Sequence, residues 1–195
     1  MSRLLQHYGA SRTAFFCCDM QTLFSSHVAR FPHGVFVANR FAQLHSILLD
    51  ATDYYVTEQY PAVLGGTVAD IALPTTAKVF AKTKYSMLTN DLRASLLNSP
   101  LTAEQVVIFG IASHVCLLQT VAELMDLPTI KRVAVARDGI GAGSEKDDHA
   151  AIQLMQSWGG KCIVTTSESI LFQLTRDAAD PNFKAISSLA KQQAP

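Results

Sequence analysis

Along the chain, short apolar runs rich in β-branched and aromatic residues alternate with longer segments whose apolar positions recur at helical spacing. Six runs predict strands: residues 13–18 (TAFFCC), 53–57 (DYYVT), 77–81 (AKVFA), 105–109 (QVVIF), 132–136 (RVAVA) and 161–165 (KCIVT). Helical spacing covers residues 35–49, 88–97, 114–125, 146–158 and 169–175, and a last amphipathic stretch runs over 185–191. Several strand runs are apolar throughout rather than alternating, the pattern of parallel strands covered by helices on both faces. The alternation predicts an α/β fold, a three-layer α-β-α sandwich on a six-stranded parallel sheet. Residues 59–76 (QYPAVLGGTVADIALPTT) break the rhythm with two glycines, two prolines and no sustained helical pattern, which predicts a long loop of the kind that often carries function.

Length and charge narrow the picture. The 195 residues, 49% hydrophobic and without repeats or low-complexity linkers, predict a single domain over 1–195. A chain of this size buries roughly 70% of its unfolded surface, so it needs neither disulfides nor a structural metal. Sixteen basic residues balance 16 acidic ones, which argues against a nucleic-acid partner or a polybasic membrane anchor. No window reaches the roughly 18 apolar residues of a membrane span, and the N-terminal MSRLLQHYGASR lacks a signal-peptide layout, so the expected location is cytoplasmic. The four cysteines, Cys17, Cys18, Cys116 and Cys162, form no C-x-x-C pair, and the six histidines show no metal-ligand spacing. Neither a metal nor a cofactor is expected.

In an open parallel sheet, ligands bind beyond the carboxyl ends of the strands, near the point where strand order reverses. Three polar residues stand there. Asp19 ends the first strand in FFCCDMQ; it is either a turn residue or a functional carboxylate. Lys82 ends the third strand in KVFAKTKYSM, with Lys84 a rival for any role given to it. Cys116 follows the fourth strand in QVVIFGIASHVCLLQT, where Ser113 is the expected N-cap of the next helix. Backbone N–H groups and the positive end of the helix dipole favour a thiolate there. Leu117, Leu118 and Val121 support the plainer reading of a small buried residue. Together the three suggest a Cys nucleophile, an Asp base and a Lys that neutralises charge near both.

The segments FFCCDMQTLF, VTEQYPAVLG, KTKYSM, GIASHVCLLQT and LMQSWGGKCIVTTSESILFQL, in this order and spacing, resemble the isochorismatase-like (cysteine hydrolase) superfamily, and its isochorismatase domain-containing proteins in particular. The resemblance runs over most of the chain. It implies a Rossmann-type sheet, homo-oligomeric assembly and an Asp-Lys-Cys triad, here Asp19, Lys82 and Cys116. Lys82 is preferred to Lys84 because the family lysine stands three positions before an aromatic, here Tyr85. It also implies a non-proline cis peptide joining Ile111 to Ala112, which would aim the Ala112 N–H, with that of Cys116, at an oxyanion. Gln21 and Phe24 match a family pattern that lines the pocket, although Phe24 could be core; His114, two residues before Cys116, is either a substrate contact or an exposed first-turn residue. Where family nicotinamidases carry a D-x-H metal motif, this chain has Glu58, Gln59 and Tyr60, a poor site for zinc. Isochorismatases proper lack the cysteine, so Cys116 points to an amide or other acyl substrate. Asp138 in VARDGIGAG is given no catalytic part, since the glycine pattern fits neither a P-loop nor a dinucleotide fingerprint. The expected activity is metal-independent hydrolysis of a small-molecule amide or related C–N bond through a thioester. The alternatives are a non-catalytic interaction protein on the same fold and a ribonuclease.

Overall fold

The computed structural model describes residues 12–195; residues 1–11, within the stretch read for a targeting signal, lie outside them. The strands β1 (Thr13–Cys18), β2 (Thr52–Gln59), β3 (Lys78–Lys82), β4 (Gln105–Ile111), β5 (Arg132–Gly141) and β6 (Cys162–Thr165) form one parallel sheet in the order β3-β2-β1-β4-β5-β6. The chain starts in the middle, winds outward through β2 and β3, and returns to place β4 beside β1. Strand order reverses there, so the crevice for a ligand opens at the tips of β1 and β4.

The helices are α1 (Phe31–Ile47), α2 (Pro61–Leu64), α3 (Asn90–Leu97), α4 (Leu118–Asp126), α5 (Glu145–Trp158), α6 (Ser167–Thr175) and α7 (Phe183–Ala190). Side chains of a strand alternate between faces, and all of β1 is buried, so each face has its own core. Phe15 and Cys17 pack with Val37 and Phe41 of α1 and Leu171 of α6. Ala14, Phe16 and Cys18 pack with Leu92 of α3, Val121 of α4 and Met155 of α5. Each large side chain so enclosed contributes roughly 1.5–3 kcal/mol. No helix among the described residues is long and apolar enough to cross a membrane.

Departures from the expected boundaries have local causes. Helix α1 begins at Phe31, four residues earlier than its apolar spacing, because Pro32 sits in the first turn, where its missing N–H costs nothing. Strand β5 continues through Arg137 and Asp138, whose polarity hides it in the sequence. Asp138 is structural: its Oδ1 accepts the backbone N–H of Ser167 at 2.7 Å, tying β5 to the start of α6. The loop 59–76 holds the single turn α2, and Glu58 fastens it by accepting the N–H and the hydroxyl of Thr67 at 2.7 and 2.8 Å.

A close backbone approach fixes how β1 meets β4. Gly110 pairs with Cys18 across the sheet at a φ of 111°, beside an irregularity in the β4–β5 register. A Cβ there would lie 2.2 Å from the Cys18 carbonyl oxygen, so only glycine lets the ends of the two strands come together.

Candidate active site

Asp19 leaves β1 in a left-handed turn, φ 47°, a conformation that aspartate tolerates better than most residues. Its backbone N–H still donates to the Thr57 carbonyl at 3.2 Å, so it is held against the end of β2. Its carboxylate is buried, 1% exposed, and both oxygens are engaged: the Thr57 hydroxyl donates to Oδ1 at 2.7 Å and Lys82 Nζ donates to Oδ2 at 2.7 Å. A buried ion pair of this kind stands only when hydrogen bonds satisfy the remaining groups. They do. Lys82, at the end of β3, also faces Gln59 Oε1 at 2.6 Å and the carbonyls of Tyr85 at 2.8 Å and Lys84 at 3.2 Å.

Burial alone would lower the Lys82 pKa, but the charges that Cys18, Asp19 and Cys116 can bear around it more than offset this, and the net shift is upward. Lys82 therefore remains an ammonium at neutral pH. Lys84 is placed differently, with its ammonium 2.7 Å from Glu123 on a partly exposed surface.

Beyond β4 the Ile111–Ala112 peptide is cis. The chain then forms a π turn, Ser113–Leu117, that runs into α4. The Ala112 carbonyl accepts both Val115 N–H at 3.1 Å and Leu117 N–H at 3.2 Å, and the Thr120 hydroxyl donates to the Cys116 carbonyl at 2.6 Å. The expected Ser113 cap is not formed: the flanking residue is Ala112, and the Ser113 hydroxyl is buried without a partner. The wide turn nevertheless keeps Cys116 at the start of a continuous helical run beside the β1–β4 crevice.

Asp19, Ile111, Ala112 and Cys116 share the wall of one cavity of about 470 Å³. Phe24 lines it too, with Tyr60, Val63 and Leu64 from the long loop, Val115 from the π turn and Tyr85 after β3. A larger open groove, about 690 Å³ between Phe31, Phe36 and Val68, holds neither a thiol nor a lysine. The geometry thus brings a thiol, a carboxylate and an ammonium to one enclosed place, a combination suited to nucleophilic attack on a carbonyl.

A match to the Isochorismatase domain spans residues 13–169. The chain belongs to the isochorismatase family. It is 39% identical over 183 residues to isochorismatase domain-containing protein 1 of Salmo salar, covering 94% of this chain and only 62% of that relative. A solved structure of a hypothetical protein from Trypanosoma cruzi is 52% identical, with a TM-score of 0.92 over 100% of this chain and 98% of the other. A Leishmania donovani protein provisionally named MAR1 ribonuclease is 48% identical, with a TM-score of 0.92 over 100% of this chain and 98% of its own. The six-stranded parallel sheet with helices on both sides is the fold these relatives share.

Two residues expected to touch substrate lie elsewhere. Gln21 is fully buried and spent on the backbone: its amide donates to the carbonyls of Gln59 at 2.9 Å and Gly65 at 2.6 Å, while its Oε1 accepts the Gln59 N–H at 2.6 Å. It pins the long loop to β2 and so shapes the cavity from behind. His114 is not among the residues that line the cavity, and its Nδ1 is buried without a hydrogen-bond partner among the described residues. Thr57 and Gln59, by contrast, were not singled out in the sequence, yet they hold the ion pair. Cys18 was also passed over. It is buried next to Cys116, and burial, a hydrogen bond shared with Cys116 and the Asp19 charge push its pKa well up, so it stays a thiol. Among the described residues no three His, Cys, Asp or Glu side chains gather as a metal site.

Proposed function

We propose that this chain is a cysteine hydrolase acting on a small amide or related C–N bond. The observation that carries the reading is that Asp19, ion-paired from behind with the buried Lys82, shares a cavity wall with Cys116. Asp19 takes the proton of Cys116, and the thiolate attacks the substrate carbonyl. The backbone N–H groups of Ala112 and Cys116 hold the tetrahedral oxyanion. Protonated Asp19 gives its proton to the departing amine as the C–N bond breaks, leaving a thioester on Cys116. Water, activated by Asp19, then hydrolyses the thioester and restores the thiol. The Lys82 ammonium holds the Asp19 carboxylate in position through its 2.7 Å hydrogen bond to Oδ2. No step is assigned to a metal, because Glu58 is spent on Thr67 and Gln59 on Lys82, where a metal-binding relative would present ligands.

The test is turnover on a panel of small amides by wild type and Cys116→Ala, with intact-mass detection of an acyl adduct. The expected result is loss of turnover and of the adduct in the variant, whose circular dichroism stays that of wild type. Hydrolysis surviving in Cys116→Ala rules out covalent catalysis. The name carried by the Leishmania donovani relative makes RNA cleavage the second reading. Salt-dependent RNA binding, with cleavage that persists in Cys116→Ala, would favour it.

A further inference from the structure

The cavity wall offers an incoming ligand no free charge. Its two charged neighbours, Asp19 and Lys82, are committed to each other. The three N–H bonds of the Lys82 ammonium already face four acceptors, namely Asp19 Oδ2, Gln59 Oε1 and the carbonyls of Lys84 and Tyr85. Lys82 thus has no N–H left for an anionic group of a ligand. Lys82 itself is 4% exposed and does not reach the cavity surface. Lys84 is turned to Glu123, and among the described residues no arginine, histidine or lysine lines the space. The rest of the lining is Phe24, Val63, Leu64 and Val115, the phenol rings of Tyr60 and Tyr85, and Gln59, whose amide is already bonded to Lys82 and the Thr83 carbonyl. Val63, Tyr60 and Tyr85 are 62%, 52% and 54% exposed, an apolar rim left open by the described residues.

Resting on the hydrolase reading of the same site, we infer that the cavity selects uncharged carbonyl compounds with an apolar or aromatic substituent and rejects those that carry a carboxylate or phosphate. A carboxylate entering this space loses its water, gains no cation and meets the Asp19 charge. Each of these disfavours it. An apolar group loses nothing by entering and is drawn in by burial against the rim. The same exclusion disfavours a phosphodiester, and so RNA, at this cavity.

Two alkylating reagents of similar size read the preference without turnover. Iodoacetamide is neutral and iodoacetate anionic; each forms a carbon–sulfur bond with Cys116 and releases iodide. Rates at Cys116 in the native chain are measured by peptide mass spectrometry near pH 7 and divided by the rates for glutathione. The expected preference for iodoacetamide is roughly 100-fold beyond that of glutathione. In Val63→Arg, which adds a cation to the exposed rim, it falls at least about tenfold. A ratio equal to or below that of glutathione overturns the inference while leaving the nucleophile in place. Silence of Cys116 towards both reagents instead sinks the hydrolase reading. The charge preference is then decided by NMR titration of Cys116→Ser with benzamide and with benzoate. Selective binding of benzamide supports the inference; benzoate binding equally well, or neither binding, overturns it.

Discussion

Lys82→Met keeps most of the side chain's apolar length and removes only the ammonium, so it isolates what the buried charge does. In the native protein Nζ meets Asp19 Oδ2 at 2.7 Å, Gln59 Oε1 at 2.6 Å and two backbone carbonyls, while both members of the pair are at most 1% exposed in their side chains. The variant leaves the Asp19 carboxylate buried with a single side-chain donor, Thr57, and orphans the amide oxygen of Gln59. Breaking one partner out of such a pair costs about 3–5 kcal/mol. For a chain of this size that lowers Tm by roughly 6–20 °C. Removing the second charge as well should recover part of the loss, so Asp19→Asn/Lys82→Met is expected to be at least about 1 kcal/mol more stable than the sum of the two single losses predicts. Urea unfolding at pH near 7, with equal slopes for all four proteins, measures both quantities. A loss below about 1 kcal/mol in Lys82→Met, or strict additivity in the double variant, would refute a tightly coupled buried pair.

Gly110→Ala tests the close approach of β4 to β1: its Cβ would sit 2.2 Å from the Cys18 oxygen, at a φ that alanine avoids, so a loss above about 3 kcal/mol or no soluble protein is expected. A wild-type Tm would contradict the geometry. Thr57→Val removes the donor to Asp19 Oδ1 and should cost about 1.5–3 kcal/mol, read from the urea midpoint; a neutral outcome would mean that bond contributes nothing. Burial holds the thiols of Cys17 and Cys18 and the Tyr54 phenol above their ordinary values. Folded-state values raised in this way give stability that is complete below the unfolded value, 9.0 for cysteine, and is lost as pH rises through that region. The urea midpoint should therefore fall steadily from about pH 8.5 to pH 11, and a flat profile there would be inconsistent with buried neutral thiols.

Much of this architecture was legible because burial on both faces leaves a direct trace: the apolar runs around Phe15, Val107 and Val135 are strands that no polar alternation interrupts. Asp19 and Lys82 were legible for the same reason, since each is the polar residue where an apolar run stops at a strand tip, whereas Cys116, five residues beyond the end of β4, stands out as the thiol in the turn that follows. What surrounds them was not. Gln59 meets Lys82 only through the register of β2 against β3, and Gln21 meets Gly65 across 44 residues; no local pattern encodes either pairing. The π turn at Cys116 was hidden because Ser113 has the chemistry of a helix cap, and only the Ala112 carbonyl accepting two N–H groups and the Thr120 hydroxyl on the Cys116 carbonyl widen the turn instead. The 59–76 loop was legible as a break in the rhythm, but which of its side chains face the cavity was not, because Tyr60 and Val63 stand in a segment without periodicity.

The central claim is that Asp19 activates Cys116, and the alkylation of Cys116 by iodoacetamide near pH 7, in wild type and in Asp19→Asn, tests it most directly. The account predicts that Cys116 alone among the four buried cysteines reacts in the native protein, faster than glutathione, and that Asp19→Asn slows it by about tenfold or more while the protein stays folded. A Cys116 no more reactive than glutathione, or one indifferent to the loss of the Asp19 carboxylate, would contradict it.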